Sequence, residues 1–455
     1  MKVPVKSIKE RKLTGDRIMA KTKSVCPVCL GVIEAMYLSR GEKVYMEKQC
    51  AKHGNFSAHV WTGANEFAKL VKAGTGQACR SDPKNCAGCD EHQQKTCCVL
   101  LEITGRCNLS CPVCFAGSSE GVKSDDPTLE TISDWYDVLM ENGGPFNIQL
   151  SGGEPSLRND LPEIIRIGKE KGFPFFQLNT NGIRLGREPE FARTLADAGL
   201  NTVFLQFDGL SDEVYKQVRG RALIEEKEAA IENCGRAGLG VVLVPTIVSG
   251  INNHEVFSIL EYAKSHSPSV RGVHFQPVSF FGRYPENSGS GKRITIPDLL
   301  SDIEKQSAGE IKKSDFSPAN AEHPLCSFHA DYLIEADEFV LQESASSGCC
   351  CSVSSDQSRR VVARKWSSAK FPENLITSEE KQKYKLDAFD VFLKESAERE
   401  AKKFALSGMA FQDAWNFDLD RIGRCYISEV SPDGQMIPFC AYNLTDLKGK
   451  GIYRK

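Results

Sequence analysis

The chain lacks any run approaching the ~20 apolar residues of a membrane span. Its basic start, MKVPVKSIKERKLTGDRIMAKTKS, lacks the apolar stretch of a secretory signal. That start reads as a solvated arm, with a peripheral contact to an anionic membrane surface left open. Net charge is scarce too: 57 Lys+Arg against 60 Asp+Glu leave -3, so no nucleic-acid partner is expected. No internal repeat is found, and 41% hydrophobic with 26% charged residues exclude bulk disorder. Cysteine is too sparse for a disulfide scaffold: 18 in 455 residues fall well below the roughly 8–10% of such chains. The expected location is the cytoplasm. In that reducing compartment, closely spaced cysteines point to metal or redox sites.

The cysteines are grouped. Cys26, Cys29 and Cys50 come first; Cys79, Cys86, Cys89, Cys97 and Cys98 second; Cys107, Cys111 and Cys114 third. Cys326, Cys349, Cys350, Cys351, Cys425 and Cys440 are spread over the C-terminal third, and Cys234 reads as core. Between the third and fourth groups, strand and helix signals alternate. Strands are expected at Val99–Thr104, Asn147–Ser151, Phe173–Leu178, Thr202–Phe207, Gly240–Ile247 and Gly272–Gln276. Helices are expected at Leu129–Glu141, Leu161–Lys171, Glu188–Ala198, Glu225–Ala237 and Glu255–His266. A βαβα order implies a parallel sheet. At ~31 residues per unit of a complete barrel, this region holds about six units. The expected fold is therefore α/β, a partial (β/α)6 barrel with its chemistry at the C-terminal strand ends. The domain reading is 1–75, a metal-binding segment; 76–98, a cysteine-rich segment; 99–282, the barrel; and 283–455, a C-terminal cysteine-bearing domain. Within the last, 283–322 reads as linker and short helix, and Thr377–Leu406 as an amphipathic helix begun by a Thr377/Glu380 capping box.

The sharpest signal is GRCNLSCPVCFA, residues 105–116. Positions i, i+4 and i+7 could be one stripe of a helix, but Pro112 inside it would cost about 3 kcal/mol. The segment reads as a loop following the first strand. An iron–sulfur cube normally takes four cysteines. Three leave one iron open, as catalytic metal sites do.

CxxxCxxC at 107–114, followed by QLSGGEP at 149–155, resembles the radical S-adenosylmethionine (SAM) superfamily. The resemblance implies that Cys107, Cys111 and Cys114 hold a 4Fe-4S cluster whose open iron binds SAM, and that an electron cleaves the sulfonium to a 5'-deoxyadenosyl radical. It implies that Phe115 flanks adenine and that Ser151, Gly152, Gly153 and Glu154 meet the methionine end. Asn179 and Asn181 would lie near the ribose, Gln206 where the family often has Ser, and Gln276 on the strand facing adenine.

Cys26-x2-Cys29 with Cys50-x2-His53 has the spacing of two metal knuckles, for zinc or a rubredoxin-like iron, with a neighbouring thiol as alternative to His53. Cys79, Cys86, Cys89 and Cys97 can ligate an auxiliary cluster or zinc, with Cys98 an alternative to Cys97. Adjacent residues before a strand are expected to point to opposite sides. Cys326, Cys425, Cys440 and one of Cys349–Cys351, taken as Cys350, could hold another cluster. CPVC at 26–29, CxxHG at 50–54, HPLCSF at 323–328 and SEVSPDGQMIPFCAYN at 428–443 are similar to one multi-cluster branch. It includes archaeal tetraether lipid synthase, methyl-pterin methylase-like proteins and Trs-system radical SAM (seleno)proteins, the last being nearest in cysteine run and length. The resemblance implies methylation or carbon–carbon coupling at an unactivated carbon of a small-molecule or lipid substrate. A ferredoxin- or flavodoxin-type donor would supply low-potential electrons. The rival readings are a non-catalytic multi-cluster electron carrier and a zinc-scaffold binding module.

Overall fold

In the computed structural model the described residues are 16–73, 84, 96–121, 125–284, 293–318, 322–342, 355–368, 396 and 398–454. Four antiparallel strands come first: β1 (Arg17–Val25), β2 (Val32–Arg40), β3 (Lys43–Cys50) and β4 (Gly54–Thr62), followed by helix α1 (Ala64–Ala73). Strict alternation on β3 buries Val44, Met46, Lys48 and Cys50 on one face, as the period of two in a half-buried strand requires.

The barrel follows in the expected alternation: β5 (Cys98–Thr104), α2 (Leu129–Glu141), β6 (Asn147–Gly152), α3 (Leu161–Glu170), β7 (Phe176–Thr180), α4 (Ile183–Arg187), α5 (Pro189–Asp197), β8 (Thr202–Gln206), α6 (Asp212–Arg219), α7 (Ile224–Arg236), β9 (Gly240–Val244), β10 (Thr246–Ile247), α8 (Val256–Ser265) and β11 (Val270–Pro277). After it come α9 (Ile296–Gln306), β12 (Ser327–Glu335), β13 (Glu338–Leu341), α10 (Ser355–Trp366), β14 (Lys403–Met409), α11 (Leu419–Ile422), β15 (Ile427–Val430), β16 (Met436–Pro438) and α12 (Phe439–Tyr442).

One sheet runs β13-β12-β14-β11-β9-β8-β7-β6-β5-β15-β16, with β10 paired to β11. Every neighbouring pair from β15 across to β14 is parallel. All five residues of β9 are buried, as a strand covered on both faces demands. The C-terminal region builds no sheet of its own among the described residues. Its strands β14 and β15 extend the two opposite edges of the six-stranded centre.

Three local differences from the sequence reading have physical causes. The third barrel strand begins at Phe176, not Phe173, since Pro174 has no N–H to donate. Pro245 divides the expected Gly240–Ile247 strand into β9 and β10, and the second piece pairs with Gln276 and Pro277. Residues 403–406, read as the end of a helix, form strand β14 instead, because β11 and β12 offer it hydrogen-bonding edges on both sides. Most of that expected helix lies outside the described residues.

The N-terminal sheet is docked, not tethered. Thr22 Oγ1 donates to Asp418 at 2.6 Å, Tyr37 donates to the other carboxylate oxygen, and the buried Lys48 donates to the Ala414 carbonyl at 2.6 Å. Burial brings the Lys48 ammonium down to about 7. Among the described residues, no helix is long and apolar enough to cross a membrane.

Candidate active site

Strand β5 delivers the chain to a loop carrying Cys107, Cys111 and Cys114, not to a helix. The loop is fixed from three sides. Arg283 and Cys114 exchange both backbone hydrogen bonds at 2.9 Å, and the Arg283 side chain donates to the carbonyls of Cys111 and Ser118, each at 2.7 Å. Arg454, near the C-terminus, donates to the Ala116 carbonyl at 3.0 Å and lies over the Phe115 ring. The Gly153 N–H donates to Thr104 and the Glu154 N–H to Arg106, both at 2.8 Å. A Cβ on Gly152 would stand 2.2 Å from the Thr104 carbonyl oxygen, and one on Gly153 2.1 Å from that of Arg106. The paired glycines thus let two backbones meet, the end of β6 against the base of the cysteine loop.

The expected polar residues are largely engaged with one another. Glu154 is buried, and both its oxygens accept hydrogen bonds: from the Ser156 N–H at 3.0 Å, Thr180 Oγ1 at 2.6 Å and the Asn181 N–H at 2.7 Å. Asn181 accepts from the Ile183 N–H at 3.0 Å and donates to Asn108, inside the cysteine loop, at 2.7 Å. Asn179 accepts from Gln177 at 2.7 Å. Gln206 donates to Asp208 and accepts from Lys227 at 3.1 Å.

Behind these residues lies a buried charge group. Arg219 grips Asp208 through two bonds, 2.7 and 2.9 Å, and donates to Thr246 Oγ1 at 3.0 Å. Burial opposes the charge of Arg219, and Asp208 more than restores it. Burial raises the Cys111 thiol pKa while the Arg219 charge pulls it back; burial pushes Cys107 up to about 12. Lys227 is fully enclosed, donates to the Asn181 carbonyl, and burial brings its pKa down to about 7. Arg283, Arg454 and Lys227 escaped the sequence reading. Lys227 could have been found: it stands on the α7 stripe with Ala230, Ile231 and Cys234, a charge at an apolar position.

A cavity of about 510 Å³ joins this region to the barrel interior. Its lining includes Cys107, Cys111, Cys114, Phe115, Ser151, Gly152, Gly153, Glu154, Asn179, Asn181, Gln206 and Gln276. Gln149, Gln177 and His274 also line it, each two residues before Ser151, Asn179 and Gln276 on the same strand face. That is a second tier, ~7 Å deeper at the rise of a strand. Barrel interiors are usually filled by Val, Ile and Leu at such positions.

At the N-terminal sheet, Cys26, Cys29, Cys50 and His53 bring one ligand atom each to within 4.8 Å of one another. His53 Nδ1 is 3.5 Å from Cys26 Sγ and 3.4 Å from Cys50 Sγ. A tetrahedral ion with standard Zn–S and Zn–N bonds would set that separation at about 3.5 Å, so the donor set fits one zinc. Burial raises the Cys50 thiol, but hydrogen bonds from Lys52 and His53 bring it to about 6.

The remaining cysteines divide. Cys326, Cys425 and Cys440 are close enough that the charges of Cys326 and Cys425 push Cys440 further up. The buried Arg421 donates to Cys326 Sγ at 3.3 and 3.4 Å. Cys97 and Cys98 do not point apart: their sulfurs lie 3.7 Å from each other, and Cys98 lines the cavity. Cys79, Cys86, Cys89 and Cys349–Cys351 lie outside the described residues.

Comparison with known proteins agrees with this arrangement. Residues 101–263 match the model of the radical SAM superfamily, and residues 18–62 that of the HMPTM N-terminal zinc ribbon domain. The chain is 34% identical to a 7,8-dihydro-6-hydroxymethylpterin dimethyltransferase of Methanocaldococcus jannaschii, covering 93% of each. It is 32% identical to a probable GTP 3',8-cyclase of Methanothermobacter marburgensis, over 38% of this chain and 56% of that one. Among solved structures it is similar to Streptococcus suis SuiB bound to S-adenosylmethionine (14% identity, TM-score 0.39, 54% of this chain and 51% of that one). Methylornithine synthase is comparable (15%, TM-score 0.37, 54% and 73%). The chain therefore belongs to the radical SAM superfamily, within the family of the Methanocaldococcus jannaschii dimethyltransferase, and is a radical SAM enzyme carrying an N-terminal zinc ribbon.

Proposed function

We propose that this enzyme methylates an unactivated carbon of a pterin-type heterocycle bound in the barrel cavity. The observation that carries the reading is the polar second tier, Gln149, Gln177 and His274, directly below the expected SAM contacts. A planar molecule with hydrogen-bonding edges suits such a lining; the name of the relative matched over 93% of the chain supplies the first substrate to test.

Cys107, Cys111 and Cys114 are the proposed ligands of the 4Fe-4S cluster. When bound, such a cluster with one open iron would supply the single low-potential electron that cleaves the SAM sulfonium into methionine and a 5'-deoxyadenosyl radical. The protein's part is positional. Arg283 and Arg454 hold the loop, Arg219 sets a buried positive charge beside Cys111, and the Glu154–Asn181–Asn108 chain ties the strand ends to the loop. Phe115, Ser151, Gly152, Gly153, Glu154, Asn179, Asn181, Gln206 and Gln276 are the proposed SAM contacts. The apolar part of the lining, including Leu100, Val244 and Phe281, would limit water around a reactive carbon. Cys26, Cys29, Cys50 and His53 would hold zinc. Cys326, Cys425 and Cys440, with Cys350, would hold an auxiliary cluster, and Cys79, Cys86, Cys89 and Cys97 another. A ferredoxin- or flavodoxin-type protein would supply the electron.

A second reading, carbon–carbon coupling of an alkyl chain, is favoured by Val361, Val362, Trp366 and Met409, which line the cavity beside α10. The test is direct. Reconstituted enzyme with excess reductant, 7,8-dihydro-6-hydroxymethylpterin and SAM as both radical source and methyl donor should yield, for each methyl group added, one 5'-deoxyadenosine with methionine from one SAM and one S-adenosylhomocysteine from a second, and a pterin heavier by one or two methyl groups. Formation of 5'-deoxyadenosine with no change in the pterin, but a mass change in added lipid, would replace the first reading by the second.

A further inference from the structure

Two neighbouring strands place a run of amides on the cavity wall. Gln149 on β6 is in register with Gln177 on β7, at the spacing of about 4.8 Å between paired strands, and Asn179 follows Gln177 on the same face. The three are joined end to end: Gln177 Nε2 donates to Asn179 Oδ1 at 2.7 Å, and Asn179 Nδ2 donates to Gln149 Oε1 at 3.4 Å. Such a run has a direction. It leaves a donor end, Gln149 Nε2, and an acceptor end, Gln177 Oε1. Both glutamines line the cavity, and among the described residues neither end has a partner and neither is sealed from solvent. Turning all three amides over would exchange the two ends and still leave one donor and one acceptor. The pattern therefore does not depend on which amide atom is the nitrogen.

An aromatic face stands beside the amides. Phe204 on β8 is in register with Asn179 and lines the cavity. Its ring lies 5.9 Å from that of His274 and 5.8 Å from Trp366, centroid to centroid. Stacking on such a face suits any flat ring; the amide ends demand more. In 7,8-dihydro-6-hydroxymethylpterin the pyrimidinone ring bears no C–H bond. The carbon-bound hydrogens belong to the second ring and the hydroxymethyl group, so the pyrimidinone is the part free to be gripped. Its lactam edge sets an N–H donor beside a C=O acceptor, the complement of the two amide ends. The glutamines lie ~7 Å deeper than the expected SAM contacts, so a grip there turns the C–H-bearing ring toward the SAM end.

Resting on the pterin-type reading above, we infer that Gln149 and Gln177 are specificity-determining residues that hold the lactam edge of the substrate, one donating to its C=O and the other accepting from its N–H. In the arrangement described, Gln149 donates and Gln177 accepts.

Anaerobic equilibrium dialysis with the cluster-loaded enzyme tests this with two ligands, 7,8-dihydro-6-hydroxymethylpterin and its analogue methylated on the lactam nitrogen. The wild type should bind the analogue about tenfold or more weakly, since the acceptor end is left without its donor. Gln149→Met and Gln177→Met, each keeping the length of the side chain, should weaken binding of the parent pterin about tenfold. The variants are compared at equal cluster content and with the SAM-induced change in the EPR spectrum retained. One of them, Gln177→Met in the arrangement described, should bind the two ligands within about threefold of each other, because the partner of the lost N–H is already gone. A merely structural loss would leave the tenfold preference in place. A wild type that binds both ligands equally, or a preference that both variants keep, would overturn the inference and leave the pterin reading standing. No binding of either ligand by the wild type would overturn the pterin reading and the inference with it. If the variants do not fold, the wild type decides with a second analogue whose lactam oxygen is replaced by hydrogen, which adds no bulk: about tenfold weaker binding supports the inference, and equal binding overturns it.

Discussion

The two described cysteine sites that a reader of the sequence would group together are built in opposite ways. At the N-terminal knuckles four donor atoms close to within 4.8 Å of one another, and among the described residues no other cluster does so. Cys107, Cys111 and Cys114 are therefore spread more widely, and all three open onto a cavity of about 510 Å³. The first arrangement can satisfy a single ion completely, as structural metal sites do; the second leaves room for a larger group with a free corner. Spacing alone, x2 against x3-x2, hints at this difference. The strands make it physical: the knuckles sit on hairpins of a small antiparallel sheet, while the loop caps the end of a barrel strand.

That contrast can be broken by experiment. The largest effect is expected from Cys111→Ala, which should abolish 5'-deoxyadenosine formation, measured by chromatography of reduced reactions, while zinc content stays at wild-type level. Cys50→Ser should do the reverse: zinc measured by plasma emission is lost and stability falls by several kcal/mol, on the order expected for a structural zinc. Iron content and SAM cleavage should largely survive. If Cys50→Ser instead removed iron and kept zinc, the assignment of the two sites would be exchanged.

Arg283→Leu should act between these extremes. It removes the guanidinium bonds to Cys111 and Ser118, at a cost of roughly 1–3 kcal/mol each if those carbonyls stay dry. Faster cluster loss to a chelator, with unchanged zinc, is the expected readout. A further effect is a pH dependence. Lys227 holds its proton only to about 7 when folded, against 10.5 as its ordinary value. Between these values the unfolded chain binds more protons, so stability rises with pH, and below about 7 the penalty is fully present. Lys227→Met should lose that rise: compared by thermal melts of the apo-protein, the wild type should gain on the variant from pH 7 to pH 10. A constant difference would mean that Lys227 remains charged throughout.

Much of the barrel was legible because its signals are local. Helix α2 was expected at its observed limits, and β6, β8 and α7 within a residue of theirs, since Gly, Pro and Asn punctuate short apolar runs there. Helices α4 and α6 were missed: α4 is only five residues long, and the eight-residue α6 was passed over although Val214, Tyr215 and Val218 lie along its buried face. Residues 403–406 read as helix as the end of the amphipathic stretch begun at Thr377, yet two waiting sheet edges made them a strand. The partners of Glu154 were also out of reach. A GGE turn says nothing of the hydrogen bonds its carboxylate accepts from Thr180 and Asn181, 26 and 27 residues away.

By itself the sequence determined the chemistry available: three thiols after a first strand, a paired CxxC and CxxH, and strand ends rich in amides. Those follow from residue identity and short-range spacing, which the chain carries in one dimension. Only the tertiary structure decided what surrounds them. Register across β6 and β7 set Gln149 beside Gln177, and the C-terminal strands closed both barrel edges so that Arg454 could reach Phe115. Such contacts join residues tens to hundreds of positions apart, and burial, which depends on the whole packed sheet, is what gives an arginine, a lysine or an amide its meaning.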